Sequence, residues 1–350
     1  MGTGKTQFTK SLITQLYLEQ CNNIHSKELG ILIFDYKGDY NDSKKDFVDA
    51  TKAQIFQPYH LPFNPLALPQ GQLSKKLLPM HTANAFKETI SKAFHLGPKQ
   101  QDLLLQCIMN AYHNNGITKD KPETWNNISP TFEQVYQCYK QNNNNDSLSA
   151  ALNKLHNFEC LEPEPNKTQS LFELLKGVVV IDLSGFDSDI QSFIIAITLD
   201  LFYSQMQSIG SSKIENNNRQ ITKMILVDEA DHFMSEGFPA LKKILKEGRE
   251  FGVGTILSTQ SLEHFGNNED DYSKYIWTWV VHNVSDLKNS DVEFILKTDS
   301  KSSQTYYNAI KSLEKHHSII KIGNEHPIYV KDKAFFELYN EQFNDDKDYN

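Results

Sequence analysis

Five residues at the start of the chain, Gly2, Thr3, Gly4, Lys5 and Thr6, have types and spacing that could bind a nucleotide. They open the stretch QFTKSLITQL, whose apolar spacing predicts an amphipathic helix. Backbone N–H groups at a helix start attract phosphate oxygens, a lysine reaches the β- and γ-phosphates of ATP, and a threonine hydroxyl binds Mg²⁺. The segment therefore predicts a phosphate-binding loop, and the alternative is an ordinary polar helix start.

A pair of acids, Asp228 and Glu229, follows the apolar run MILV. Ligands of an open α/β sheet bind outside the carboxyl ends of its strands, which is where this pair is expected. Asp228 suits holding Mg²⁺ together with Thr6, and Glu229 suits deprotonating the attacking water. The alternative is that both acids only cap the following helix. The presence of GKT in the same chain favours the catalytic interpretation.

The segment EGREFGVGTILSTQ carries two further candidates, Arg249 and Gln260. Gln260 follows a predicted strand and could sense the γ-phosphate or position water. Arg249 precedes that strand and could act as an arginine finger on the nucleotide of a neighbouring subunit. The alternative is a surface arginine, but the chain has only one other arginine, Arg219, and this scarcity favours the finger.

Short, β-branched and almost continuously apolar segments are expected to position these residues. Such segments alternate with helical ones, which predicts a doubly wound, mostly parallel α/β sheet. The predicted core strands lie at 30–36, 177–185, 223–231 and 253–260, a further strand at 274–284, and a terminal hairpin in HSIIKIG and HPIYVK.

Helical spacing without strand signals dominates residues 73–175, as in KETISKAFHLGPKQQDLLLQCIMNAYH. We predict an all-helical insertion there. It divides the chain into a first part of the core at 1–72, the insertion at 73–175, and a second part of the core with a terminal hairpin at 176–350.

Composition limits the classes of function. A net charge of −9 argues against a protein that coats nucleic acid, although a few DNA-contacting loops remain compatible with it. The four cysteines form no C-x-x-C pair, and no run of 18 apolar residues occurs, so we expect a cytoplasmic protein without a membrane segment. Residues 228–231 spell DEAD, but an RNA helicase of that type uses arginine-rich motifs, and this chain has two arginines.

Taken together, these motifs resemble the HerA/FtsK-type P-loop ATPases, which include VirB4-like secretion ATPases. The resemblance is carried by GKT and DEADHF, by FDYKGDY, FNPL and GVVVIDLSG, and by GREFGVGTILSTQ. It covers most of the chain and implies a RecA-like fold, ATP and Mg²⁺ as cofactors, and a hexameric ring. Within the family, GTGKTQFTKSL and EGREFGVG are similar to the motor of restriction systems linked to DNA phosphorothioation, which implies restriction-system partners.

One departure from the family pattern concerns the phosphate-binding loop. The full motif G-x-x-x-x-G-K-[ST] needs a glycine two positions before Met1, behind a strand. A loop without that half lacks some of the N–H groups that wrap the β-phosphate, and the strands beside the absent one would expose backbone groups. For this chain we therefore expect weak ATP binding.

Two minor candidates complete the set. The segment YKGDY at 36–40 follows a predicted strand, and we interpret it as a turn, with a direct role in the site as the alternative. His316 and His317 stand in a lysine-flanked segment that we expect to be exposed, and without a third ligand at suitable spacing they do not predict a metal site.

The preferred hypothesis is a DNA-translocating ATPase. A secretion or conjugation motor that moves protein is the second hypothesis, and DNA-stimulated ATPase activity would separate the two. The third is a non-catalytic remnant that keeps the fold as an interaction module.

Overall fold

The computed structural model of the protein describes residues 2–69, 77–141, 145–234, 237–260 and 272–344. The described strands are, in chain order, β1 (Gly30–Asp35), β2 (Gln54–Phe56), β3 (Val178–Asp182), β4 (Ile214–Glu215), β5 (Asn218–Arg219), β6 (Lys223–Val227), β7 (Val253–Leu257), β8 (Thr278–Val281), β9 (His317–Ile322) and β10 (Ile328–Lys331). The described α-helices are α1 (Lys5–Leu18), α2 (Lys45–Thr51), α3 (Leu78–Ala93), α4 (Pro98–Asn114), α5 (Phe132–Lys140), α6 (Ser147–Asn157), α7 (Leu171–Leu174), α8 (Ser188–Ile209), α9 (Ala230–Met234), α10 (Pro239–Glu247), α11 (Asn289–Leu296), α12 (Ser300–Lys311) and α13 (Phe335–Tyr339).

Five parallel strands form the central sheet in the order β2–β3–β1–β6–β7. Every residue of β1 and β3 is buried, which explains why both are apolar up to their final aspartates, Asp35 and Asp182. The predicted mostly parallel α/β fold is confirmed. Because all five strands run in the same direction, their carboxyl ends meet at one edge of the sheet.

Helices cover both faces of this sheet. Leu32 and Phe34 of β1 point to the face that packs on α3, α4, α8 and α10. The alternate residues Ile31 and Ile33 point to the opposite face, where Ile13 of α1 belongs to the same apolar cluster. Because successive side chains of a strand point to opposite faces, β1 packs into the apolar clusters on both faces of the sheet.

Between β2 and β3 the described residues form no strand apart from an isolated bridge between Leu61 and Leu161. Helices α3–α6 lie within the segment predicted as an insertion, and they share one continuous core with the sheet. The Asn-Pro turn joins the two parts, because Asn64 donates its amide to the backbone oxygen of Pro130 at 2.9 Å. The division of the chain at 1–72, 73–175 and 176–350 stays a prediction.

The predicted terminal hairpin is present as β9 and β10, and β8 pairs with β9 on its other side. This antiparallel sheet of three strands packs on α11 and α12 around Val281, Ile295, Ile310 and Ile319. The segment predicted at 274–284 thus contains a strand, but one that belongs to a second sheet. Among the described residues, β7 pairs with β6 alone and β8 with β9 alone.

Two short features have no counterpart in the sequence prediction, namely β2 and the hairpin of β4 and β5. Both lack the long apolar run that marked the other strands. None of the described helices has the length and the uninterrupted apolar character that crossing a bilayer requires.

Candidate functional site

The first half of the site is the turn that leads into α1. Gly4 has a φ of +109°, and Gly2 has a φ of +85°, values that glycine adopts without strain. A Cβ on Gly4 would lie 2.9 Å from Nδ1 of His316 and 3.2 Å from its backbone nitrogen. Thr3 contributes its carbonyl oxygen, which accepts the N–H of His316 at 3.3 Å. The turn is therefore shaped and held so that the N–H groups at the start of α1, including those of Lys5 and Thr6, are available to an anion.

Lys5 joins this turn to the carboxyl edge of the sheet. Its ammonium group donates a hydrogen bond of 2.9 Å to the backbone oxygen of Thr259, just beyond the end of β7. Burial lowers the pKa of Lys5, and the negative charges of Glu229 and Asp228 oppose that shift. The lysine and the acid pair, more than two hundred positions apart in the sequence, thus lie close enough to interact.

Asp228 follows β6 and is only 3% exposed. Its backbone N–H donates to the oxygen of Phe34 at 3.2 Å, which continues the β1–β6 pairing past the strand end. Burial and the nearby charges of Glu229 and Asp35, opposed by a hydrogen bond from Ser258, raise the pKa of Asp228 to about 6. A buried carboxylate of this kind is stabilised by a cation, and Mg²⁺ prefers such oxygen ligands.

Glu229 has a φ of +48°, an uncommon conformation for this residue type. Its Oε1 accepts hydrogen bonds from Lys37 at 2.5 Å and from Gln260 at 2.8 Å, and its Oε2 accepts from Gln260 at 3.0 Å. Burial alone would raise the pKa of Glu229, but these hydrogen bonds and the charges of Lys37 and Lys5 hold it below its ordinary value. Glu229 is therefore ionised, and its carboxylate is hydrogen-bonded to the side chains of Lys37 and Gln260.

The loop after β1 is wound around the carboxylate of Asp35, which is fully buried. Oδ1 of Asp35 accepts the N–H groups of Lys37, Gly38 and Asp39, and Oδ2 accepts that of Tyr40 at 2.8 Å. Burial nevertheless raises the pKa of Asp35. The segment YKGDY is thus a turn, as interpreted from the sequence, and it also places Lys37 in the site.

Tyr40 ties this loop to α1, because its hydroxyl lies 2.6 Å from Oγ1 of Thr9. Tyr40 is fully buried, and burial raises its pKa well above the ordinary value. The loop and the phosphate-binding turn are therefore parts of one rigid arrangement.

Glu229 and two residues that follow it, Asp231 and His232, could form a second cation site. Glu229, Asp231 and His232 each bring one ligand atom within 4.8 Å of the others. Asp231 already accepts a hydrogen bond from Thr259 at 3.1 Å, and Glu229 is held by Lys37. The assignment of Mg²⁺ to Thr6 and Asp228 stays a prediction, and the structure shows Asp228 as a buried acid at the carboxyl end of β6.

Arg249 lies elsewhere. It is an exposed residue of the turn Gly248–Phe251, ahead of the amino end of β7, so the length of that strand, about 16 Å, separates it from the site edge. Arg219 lies at the same end and donates to the backbone oxygen of Glu250 at 2.7 Å. Neither arginine reaches the site of its own chain, and the action of Arg249 on a neighbouring subunit stays a prediction.

The expectation that the histidine pair is exposed was wrong. His316 and His317 are both half-buried. His316 packs against Gly4 and stands at a φ of +64°, so it supports the phosphate-binding turn. Sequence reasoning could not find this contact, since nothing in the local pattern links a residue near 316 to one near 4.

A mostly parallel sheet with a Gly-Lys-Thr helix start and an acid pair at its carboxyl edge defines the class of P-loop NTPases. Within this class the chain belongs to the family described as "Helicase HerA, central domain", which matches residues 2–202. The resemblance to HerA/FtsK-type, VirB4-like ATPases is confirmed.

Two curated relatives are similar over most of the chain. The "DNA double-strand break repair helicase HerA" of Sulfolobus acidocaldarius is 24% identical over 92% of this chain and 61% of its own length. The protein of the same description from Sulfurisphaera tokodaii is 23% identical over 84% of this chain and 56% of its own length. The chain thus spans about three fifths of the length of these relatives.

Two solved structures share the fold. VirB4 of Thermoanaerobacter pseudethanolicus superimposes with a TM-score of 0.68 at 14% identity, covering 97% of this chain and 88% of that one. The bacterial conjugative coupling protein TrwBΔN70 gives a TM-score of 0.52 at 14% identity, covering 95% and 83%.

Proposed function

We propose that the protein is the ATPase core of a DNA-translocating motor of the HerA/FtsK type, acting in the cytoplasm. The observation that carries this proposal is the convergence of Lys5, Asp228, Glu229 and Gln260 at one edge of the sheet. An interaction module without catalysis has no need of a half-buried lysine close to two acids at such an edge.

In the proposed reaction a water molecule attacks the γ-phosphorus of ATP and Glu229 accepts its proton. The bond from that phosphorus to the β–γ bridging oxygen breaks, which yields ADP and inorganic phosphate. Thr6 and Asp228 would hold Mg²⁺, which neutralises developing charge on the phosphates. Lys5 would leave the carbonyl oxygen of Thr259 and bind the β- and γ-phosphates.

Two further residues, Gln260 and Arg249, would act on the phosphates. Gln260 would report the γ-phosphate from the end of β7, and Arg249 would act across the subunit boundary of a hexameric ring. The names of the curated relatives support DNA as the partner. The likeness of GTGKTQFTKSL and EGREFGVG to the ATPase part of DptH extends the proposal to the restriction of phosphorothioated DNA with partner proteins of that system.

Nucleotide titration and ATPase assays of the chain, with and without duplex DNA, test the proposal. We expect weak, Mg²⁺-dependent ATP binding that Lys5→Ala abolishes, and turnover that duplex DNA stimulates and Glu229→Gln lowers at least 100-fold while ATP still binds. Lys45→Met, a change of an exposed lysine on α2, serves as the control. Absence of ATP binding to the unaltered chain would instead favour the non-catalytic remnant, and co-purification with membrane components without DNA stimulation would favour a protein-moving motor.

A further inference from the structure

The backbone of Lys37 is held in place, whereas its side chain is half exposed to solvent. Its backbone N–H is held by the buried carboxylate of Asp35 at 3.2 Å, and Gly38 follows with a φ of +74°. The side chain itself is 49% exposed, whereas that of its partner Glu229 is 9% exposed. An ammonium group on four rotatable bonds can therefore change partner without any movement of the loop.

Without a nucleotide, the side chains that would bind it are hydrogen-bonded to other groups of the site. Lys5 is bound to the carbonyl oxygen of Thr259, and Gln260 donates to both oxygens of Glu229. Lys37 adds a charge-assisted hydrogen bond of 2.5 Å to Oε1 of Glu229. Both lone pairs of Oε1 are thereby engaged, so Lys37 or Gln260 must leave before Oε1 can accept a proton from water.

Lys37 is the partner that a γ-phosphate would attract. Both arginines of the sequence lie at the opposite edge of the sheet, whereas at this edge Lys5 is bonded to Thr259 and Lys37 to Glu229. A terminal phosphate carries more negative charge than one carboxylate, and an ammonium group binds it strongly. Gln260, being neutral, has no comparable preference.

We propose that Lys37 is a positioning residue that holds Glu229 inactive in the absence of ATP and transfers its ammonium group to the γ-phosphate when ATP binds. The transfer frees Oε1 of Glu229 for the attacking water. This inference rests on the proposed ATPase function and assigns it a second γ-phosphate sensor, Lys37, besides Gln260 of the same chain.

Equilibrium binding of a fluorescent, non-hydrolysable ATP analogue and of the matching ADP, both with Mg²⁺, tests this role. We expect Lys37→Met to weaken binding of the ATP analogue about tenfold and to change ADP binding less than twofold, because ADP lacks the group that Lys37 contacts. Lys37→Arg is expected to restore most of the difference. Lys45→Met, a lysine change on the exposed surface of α2, should leave both affinities unchanged.

A double-mutant cycle with Glu229→Gln tests the coupling of the two residues. Glu229→Gln should tighten the ATP analogue several-fold when Lys37 is present, since the lysine is no longer held by a charged carboxylate, and should have no such effect in Lys37→Met. Equal effects of Glu229→Gln in both backgrounds, or equal losses of ATP-analogue and ADP affinity in Lys37→Met, would overturn the proposal.

The outcomes separate this inference from the function on which it rests. If the unaltered chain binds neither nucleotide, the ATPase proposal fails and the sensor role fails with it. If it binds both and Lys37→Met leaves their ratio unchanged, the sensor role alone is refuted. Thermal unfolding of each variant distinguishes a binding defect from misfolding, and Lys37→Gln, which also removes the charge, is the variant to use should Lys37→Met not fold.

Discussion

At the scale of single residues, the phosphate-binding turn requires glycine at position 4, because a Cβ atom there would be strained and would clash with His316. Gly4 stands at a φ of +109° with His316 directly beside the position of a Cβ. The conformational strain and the steric contact are separate costs. Another glycine of the same chain, Gly185, has a φ of +80° with nothing within 4 Å of its Cβ position, so it carries only the first cost.

We predict that Gly4→Ala lowers the free energy of unfolding by about 2–3 kcal/mol and nucleotide affinity at least tenfold. Gly185→Ala is expected to cost about 1 kcal/mol and to leave nucleotide affinity unchanged. Urea denaturation and nucleotide titration of both variants measure the difference. Equal behaviour of the two would mean that His316 does not constrain the turn.

At the scale of elements, the helical insertion is joined to the core by a contact between α3 and α8. Asp200 of α8 accepts a hydrogen bond from the hydroxyl of Thr89 on α3. Burial raises the pKa of Asp200 to about 6, and Thr89 and Lys243 oppose this shift while Glu88 adds to it. The folded protein therefore binds this proton more tightly than the unfolded chain does, and the stability that follows is full below about pH 4 and lost as the pH rises through 6.

We predict that Asp200→Asn raises the free energy of unfolding at pH 7.5 by about 1–3 kcal/mol, because it removes a half-buried charge and keeps an acceptor for Thr89. The gain should be much smaller at pH 4.5, where Asp200 is already protonated in the fold. Urea denaturation at the two pH values measures it. A variant less stable than the original protein at both pH values would contradict the predicted burial of this charge.

At the scale of the whole molecule, the two arginines and the candidate site occupy opposite edges of one sheet. Arg219 is bound to a backbone oxygen of its own chain, whereas Arg249 is exposed on the turn ahead of β7. An exposed arginine at that edge can serve a site only on another copy of the chain. If the proposed ring forms, mixing two different inactive variants should restore activity.

We predict that Lys5→Ala and Arg249→Ala chains are each inactive alone, with at least a 100-fold loss of ATPase activity, and that their mixture recovers part of it. In mixed assemblies an intact Arg249 from one subunit faces an intact Lys5 in the next. Arg219→Ala, at the same edge of the sheet, keeps both Lys5 and Arg249 and should therefore remain active alone. No recovery in mixtures that co-elute as one assembly would rule out action across subunits.

The sequence by itself determined the strands of the parallel core, the helix start at Lys5, and the acid pair at Asp228 and Glu229. These features follow from local rules, because a buried parallel strand needs a continuous apolar run and a phosphate-binding turn needs glycine. The same local rules also led to the resemblance to the HerA family. They failed for β2 and for the hairpin of β4 and β5, which are too short to carry a pattern.

Only the tertiary structure decided which side chains meet. Lys37 bonds to Glu229 across 192 positions of sequence, and His316 packs on Gly4 from the far end of the chain. Such contacts depend on the order of the strands in the sheet and on where each loop directs its side chains, and neither property leaves a local signature. For the same reason the sequence could propose Arg249 as a catalytic group, but only the fold placed it at the edge away from the site of its own chain.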